Sequence, residues 1–286
     1  MAITITQINE LRQRTNAGMM DCKKALTETD GDMDAAVKIL REKGLAIQVK
    51  RADKESKQGI VQIKTSDDGA TVAMVEVNTE TDFVAATDNF KKFVDAVAFK
   101  TLEGSTDLAG DLAEEVKTIL MQTNENVKIS RSVLVKLEGT GALSSYIHMG
   151  GKIGVVVELG CTKPETVAAP AFAELGHELA LQIAANAPRY ICGTEVPQAE
   201  IDAELEIKLN AMKEQKGKLP PENALVGIKK GMTQKFFSEI CLVDQPFVKN
   251  GPGEKTTVAD VVAKVAKELG DTLTVKRFFR FQLGAK

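Results

Sequence analysis

Apolar side chains recur at helical spacing in three short runs through residues 1–46. Ile5, Ile8 and Leu11 carry the first face. A Thr4-x-x-Gln7 box flanked by Ile3 and Ile8 marks a helix start closed by a hydrophobic staple. The turn chemistry of Thr15-Asn16-Ala17-Gly18 separates this helix from a second, over 20–26. Asp32 caps a third, which buries Met33, Ala36, Val37 and Leu40 and is expected to end at Gly44, with Leu45 packing against its end. A unit this small is marginal alone and reads as a module that docks onto something.

From 47 to 59 polar residues of both charges break the pattern and predict a linker. The period then changes from helical to strand-like. Strands at 60–65 and 71–77 around a Ser66-Asp67-Asp68-Gly69 turn predict a β-hairpin. Val72, Ala73, Met74, Val75 and Val77 are too apolar for a strand with one solvated face, so it should be covered on both sides. Asn78-Thr79-Glu80-Thr81 stop the run, and Asp82-Phe83 sit where the strand hands over to a helix carrying Phe90, Phe93, Val94 and Val97. The same order returns later. A hairpin at 145–149 and 153–159 around Gly150-Gly151 precedes a helix bearing Phe172, Leu175, Leu179 and Ile183. Strands at 132–137 and 274–283 complete two antiparallel sheets.

The predicted fold class is α+β. A three-helix module is followed by a core of two pseudo-repeated sheet-plus-helix subdomains, 60–140 and 141–286. The second holds an inserted antiparallel helical hairpin at about 197–239. Its stripes are Ile201, Leu205, Leu209, Met212 and Leu225, Ile228, Met232, Phe236. The break from Gly217 to Pro221 turns the arm, whose end at Lys218-Leu219 should project.

Composition narrows the function. At 286 residues, 43% hydrophobic and 27% charged, the chain is ordinary globular material. A net charge of −3 argues against a nucleic-acid binder. Nothing approaches the roughly 20 apolar residues of a membrane span, and the N-terminus lacks the features of a signal or transit peptide. A soluble, cytoplasmic protein is expected. Cys22, Cys161, Cys192 and Cys241 are scattered, form no C-x-x-C pair and have two histidines for company. They read as free thiols, and no metal or cofactor is expected.

Enzyme motifs fail on spacing. Gly251-Pro252-Gly253-Glu254-Lys255-Thr256-Thr257 lacks the phosphate-loop pattern and reads as a loop before a helix capped by Thr256 or Thr257. Cys22 beside Lys23 and Lys24 has the setting for a lowered pKa but no histidine near it in sequence. His177, beside Glu178, reads as a surface histidine. What remains is a set of tips: Met19-Met20, Asp82-Phe83, His148 at a hairpin end, and the arm. Methionines and aromatics at turns favour an interface. The plain alternative for Asp82-Phe83 is that Asp82 caps the turn and Phe83 packs beneath it.

At these tips the chain resembles the translation elongation factor Ts family, the guanine-nucleotide exchange factors of elongation factor Tu. Leu11-Arg12-Gln13-Arg14-Thr15-Asn16-Ala17-Gly18-Met19-Met20-Asp21-Cys22-Lys23-Lys24-Ala25-Leu26 is close to its N-terminal signature, and Thr79-Glu80-Thr81-Asp82-Phe83-Val84 to its second. Tyr146-Ile147-His148-Met149-Gly150-Gly151-Lys152-Ile153-Gly154 and Gln245-Pro246-Phe247-Val248 match later segments. The resemblance implies that the N-terminal module, through Arg12, Met19 and Met20, grips the GTPase domain of elongation factor Tu. It implies that Thr81, Asp82, Phe83 and Val84 enter near that partner's Mg²⁺ and switch region. It implies that His148 presses from the second subdomain and disturbs the phosphate loop. Contacts made by a further C-terminal helix of some members are not expected here. The competing class is a protein-binding scaffold with a ubiquitin-associated-like head, which leaves the Asp82-Phe83 tip without a purpose.

Overall fold

The computed structural model describes residues 3–15, 17–51, 56–217 and 220–285. The Thr4–Gln7 box forms: Thr4 N donates to Gln7 Oε1 at 3.0 Å, and Gln7 N donates to Thr4 Oγ1 at 3.2 Å. It opens α1 (Ile5–Thr15), which is followed by α2 (Met19–Glu28) and α3 (Met33–Arg51). Asp32 Oδ1 caps α3, accepting from Asp34 N and Ala35 N at 3.0 Å each. Ile8, Leu11, Cys22, Leu26, Ala36 and Leu40 form the module's core, with Ile3 packed against it. Ile5 does not join them. It is 76% exposed, because the inward face of α1 runs through Ile8, Leu11 and Thr15.

The first sheet has the order β1-β2-β3, with β1 (Gln58–Thr65) and β3 (Lys128–Lys136) both antiparallel to the central β2 (Thr71–Thr79). Between β2 and β3 lie α4 (Asp82–Ala86), α5 (Asp88–Leu102), the single turn α6 (Leu108–Asp111) and α7 (Ala113–Thr123). As the apolar run of β2 predicts, the strand is buried on both faces. Val75 and Val77 pack under Phe90, Phe93, Val94 and Val97 of α5. Glu76 points the other way and is also buried. Its carboxylate accepts from Arg131 Nε at 2.7 Å, Gly284 N at 2.8 Å and Asn78 Nδ2 at 3.0 Å, so the buried charge is paired and hydrogen-bonded.

The expected end of the third helix at Gly44 is overturned, since α3 continues to Arg51. Gly44 is buried where α3 meets α7, and a Cβ there would lie 3.0 Å from Met121 Cγ. That glycine serves a close approach of helices instead of a helix end. The Leu45 side chain, Asn16, residues 52–55 of the expected linker, and Lys218 and Leu219 at the arm's tip lie outside the described residues.

The second sheet, also antiparallel, has the order β4-β5-β6, from β4 (Gly141–His148), β5 (Ile153–Cys161) and β6 (Leu273–Gln282). A short 3-10 turn, Pro164–Ala168, leads from β5 into α8 (Pro170–Asn186). Then come α9 (Gln198–Lys216), α10 (Glu222–Ile240) and α11 (Val258–Leu269). Thr257 caps α11 in a reciprocal box with Asp260, so the Gly251–Thr257 stretch is the loop before a helix.

The internal repeat extends to individual side chains. Phe90, Phe93 and Val97 of α5 have equally spaced counterparts in Phe172, Leu175 and Leu179 of α8, all buried. Glu76 on β2 has its counterpart in Glu158 on β5. Glu158 accepts from Arg277 Nε at 2.8 Å and Glu138 N at 2.9 Å, with Lys276 Nζ at 3.5 Å. Arg131 and Arg277 occupy matching places on β3 and β6. Helices α7 and α11 both end on a left-handed residue, Asn124 and Gly270.

Within α9 and α10 the predicted stripes form the seam: Phe236 is buried and the other seven side chains are half-buried. The feet of this arm are joined, since Arg189 N and Tyr190 N both donate to Ile240 O, at 2.8 and 3.1 Å, and Leu242 N donates to Tyr190 O at 2.9 Å.

By density of contacts the chain forms two compact units. One comprises Met1–Lys136, Ile147–Gly154 and Phe281–Lys286; the other comprises Leu137–Tyr146 and Val155–Arg280. No helix among the described residues is long and apolar enough to cross a membrane.

Candidate functional site

The end of β2 is built to stop a strand and to aim the short helix beyond it. Thr81 is the N-cap of α4 and accepts from Val84 N at 3.3 Å, so the cap is Thr81 and not Asp82. A five-residue helix entered from that cap turns Ala85 and Val84 inward. Ala85 is buried and Val84 packs against the α5–β2 core. Asp82 and Phe83 are left on the outside, and Phe83 is 83% exposed. The packing-beneath alternative for Phe83 is therefore excluded. An exposed phenylalanine on a short, anchored turn is a feature of interfaces, because leaving its ring in water is unfavourable until a partner covers it.

The anchoring comes from a residue that the sequence did not single out. Glu125 lies on the turn between α7 and β3. Its Oε2 accepts from Thr79 Oγ1 at 2.9 Å and Thr81 N at 3.0 Å, and its Oε1 accepts from Thr81 Oγ1 at 2.6 Å. Beside it, Asn126 N donates to Glu80 Oε1 at 2.6 Å. The only trace in the sequence is a spacing. Glu125 stands to Arg131 as Asp271 stands to Arg277, and Asp271 plays the matching part after β5. Asp271 accepts from Thr162 N at 3.2 Å, Lys163 N at 3.1 Å, Thr166 Oγ1 at 2.6 Å and Thr162 Oγ1. Partial desolvation pushes the Asp271 pKa up, but the hydrogen bonds from Thr162, Thr166 and the Thr272 and Lys163 backbones outweigh it and hold it well below the ordinary carboxylate range.

The remaining candidates sit on other elements of the same unit. Met19 and Met20 open α2, exposed, with Met20 the more so. Arg12 is exposed on α1, beside a surface hollow of about 460 Å³ that Asn9, Gln13, Ala17, Asn89 and Gln122 also line. His148 ends β4 half-buried, and its carbonyl accepts from Gly151 N and Lys152 N across the turn. The side chain most exposed at that hairpin end is the next one, Met149, at 71%.

Burial raises the thiols of Cys22, Cys161 and Cys241, so none of these three is activated. Burial pushes Cys22 up, against the lowering by Thr15 and Arg12, so the setting beside Lys23 and Lys24 does not acidify it. Burial pushes Cys241 up to about 12. All four cysteines are free. His177 is exposed and edge-on to Tyr146, ring centroids 5.9 Å apart.

Comparison with known proteins adds an independent line. The family described as elongation factor TS matches residues 80–285. The chain is 41% identical over 297 residues to elongation factor Ts of Trichlorobacter lovleyi, covering 99% of this chain and 93% of that one. It is 40% identical over 286 residues to elongation factor Ts of Nitratidesulfovibrio vulgaris, covering 99% and 96%. Against elongation factor Ts of Desulfovibrio desulfuricans the identity is 39% over 291 residues, covering 100% and 99%.

Proposed function

The chain belongs to the elongation factor Ts family, and on that footing we propose that it is a guanine-nucleotide exchange factor that binds elongation factor Tu and speeds its release of GDP. The observation that carries this reading is Phe83, fully presented beside Asp82 on a turn tied to a sheet. A GTPase that holds GDP·Mg²⁺ at nanomolar affinity does so with about 12 kcal/mol. No bond in the protein need be made or broken to weaken that grip. A factor that binds the nucleotide-free state more tightly than the GDP state lowers nucleotide affinity by the same coupling free energy. The metal is among the largest charges in the partner's pocket, so displacing its surroundings is an effective point of attack.

In this reading the segment Thr81–Val84 divides its labour. Asp82 and Phe83 enter the Mg²⁺ and switch region, while Thr81 and Val84 hold the turn from which they project. Arg12, Met19 and Met20 grip the GTPase domain, and His148 presses on the phosphate loop from the second hairpin. The factor works in the cytoplasm, with no cofactor of its own. The test is release of fluorescent GDP from elongation factor Tu, chased with unlabelled nucleotide. Catalytic amounts of this protein should raise the release rate manyfold. Release at the intrinsic rate in the presence of saturating protein would refute the reading.

A further inference from the structure

Three successive residues, Thr79, Glu80 and Thr81, carry the chain from β2 into α4, and their polar groups are held by the α7–β3 turn. Glu125 takes three of those bonds on one carboxylate. The turn that bears Glu125 is itself braced. Asn124, left-handed, donates to Leu120 O at 2.8 Å; Thr123 Oγ1 accepts from Glu125 N at 3.3 Å; and Val127 is buried. A carboxylate that accepts from a backbone N–H and from two hydroxyls on either side of it fixes the direction of that peptide, because charge-assisted bonds are short and directional. Thr81 Oγ1 then passes the constraint on by capping Val84 N. The direction in which α4 leaves the sheet, and with it the direction of Phe83, is set by this chain of bonds.

The second repeat separates structure from function. Asp271 holds Thr162, Lys163 and Thr166 in the same manner, yet the turn behind it, Pro164–Ala168, offers no aromatic side chain. One device therefore occurs twice, and only one copy stands behind a presented ring.

We infer that Glu125 is the positioning residue of the Asp82–Phe83 tip: it does not touch the partner, and it sets the rigidity and direction with which Phe83 is offered. This rests on the exchange-factor reading for its effect on rate, but not for its effect on the tip. The chain contains no tryptophan, so Phe83→Trp places a single tryptophan at the tip, excited selectively over the two tyrosines. In that background Glu125→Gln should lower the tryptophan anisotropy of the free protein, while Asp271→Asn should leave it unchanged. In the protein that retains Phe83, Glu125→Gln should cut the maximal GDP-release rate by about tenfold, since a displaced group at a reacting centre costs on that order or more. The concentration giving half that rate should move far less. Added to Phe83→Ala, Glu125→Gln should cause no further loss, because the side chain it aims is gone. Asp271→Asn should keep the maximal rate within about twofold at a temperature where all variants are folded.

Unchanged anisotropy and rate in folded Glu125→Gln would overturn the inference, as would equal losses in Asp271→Asn, which would mean general destabilisation. If Glu125→Gln does not fold, Thr79→Ala removes one of the three bonds and is read in the same way. If the wild-type protein releases no GDP, the exchange-factor reading fails, and the anisotropy comparison still decides whether Glu125 orders the tip.

Discussion

Gly59 and Gly141 press against the neighbouring strand in the same way: a Cβ at Gly59 would fall 2.1 Å from Val77 O, and one at Gly141 would fall 2.2 Å from Leu159 O. Both residues also have positive φ, 142° and 156°, in a region that side chains avoid. Each opens the hairpin of its own sheet. Gly59→Ala and Gly141→Ala should each destabilise by about 2 kcal/mol or more, combining backbone strain with a clash against main chain that cannot step aside. Urea unfolding of the two variants checks this. An unchanged midpoint in either would show that the hairpin relaxes freely.

The buried carboxylates give a graded expectation. Arg131→Met leaves Glu76 without a cation and should cost about 3 kcal/mol or more. Arg277→Met should cost less, because Lys276 Nζ remains 3.5 Å from Glu158. Adding Glu76→Gln to Arg131→Met should recover part of the loss. Chemical denaturation of the four proteins would reverse this account if Arg277→Met proved the more damaging.

Asp271 makes acid stability predictable in sign. Its folded pKa is depressed below the ordinary 3.8, so its contribution is fully present above that value and is lost as pH falls through the lower folded one. Asp271→Asn should lower the melting temperature near neutral pH and flatten its fall between about pH 4 and pH 2. Parallel acid limbs for the two proteins would remove Asp271 from the explanation.

Phe83→Ala should spare the fold. A surface substitution of this kind lies within about 0.5 kcal/mol of neutral, whereas Phe90→Ala or Phe172→Ala should cost about 3–5 kcal/mol. The same Phe83→Ala protein should lose most of its stimulation of GDP release. A variant that melts as the wild type does and exchanges nucleotide normally would take Phe83 out of the mechanism.

Periodicity made the elements legible because burial acts on every residue of a face. The double-sided burial of β2 and the stripes of α5 and α8 follow from it directly. Single letters were harder. Gly44 carries the same symbol as a helix-ending glycine, and only the presence of Met121, far away in the chain, reveals a packing contact. Cys22 beside two lysines looks acidified until its burial is seen. Glu125 left only the spacing to Arg131 that Asp271 and Arg277 repeat, since its partners Thr79 and Thr81 are distant in sequence and a lone Glu after a helix is unremarked among so many carboxylates. The exposure of Phe83 needed the structure as well, because an aromatic next to a cap packs inward as readily as it projects.

The joined feet of the helical arm have a consequence for how such a chain can change. Because Arg189, Tyr190 and Leu242 close the entry and exit of the arm against each other, the segment between them behaves as a graft on a sealed stump. Its length can drift, or a different segment can be spliced in, at a cost that grows only with the logarithm of the added loop. Selection is thus free to reshape this appendage without renegotiating the strands on either side, while a single inserted residue in β2 would turn every side chain beyond it to the wrong face.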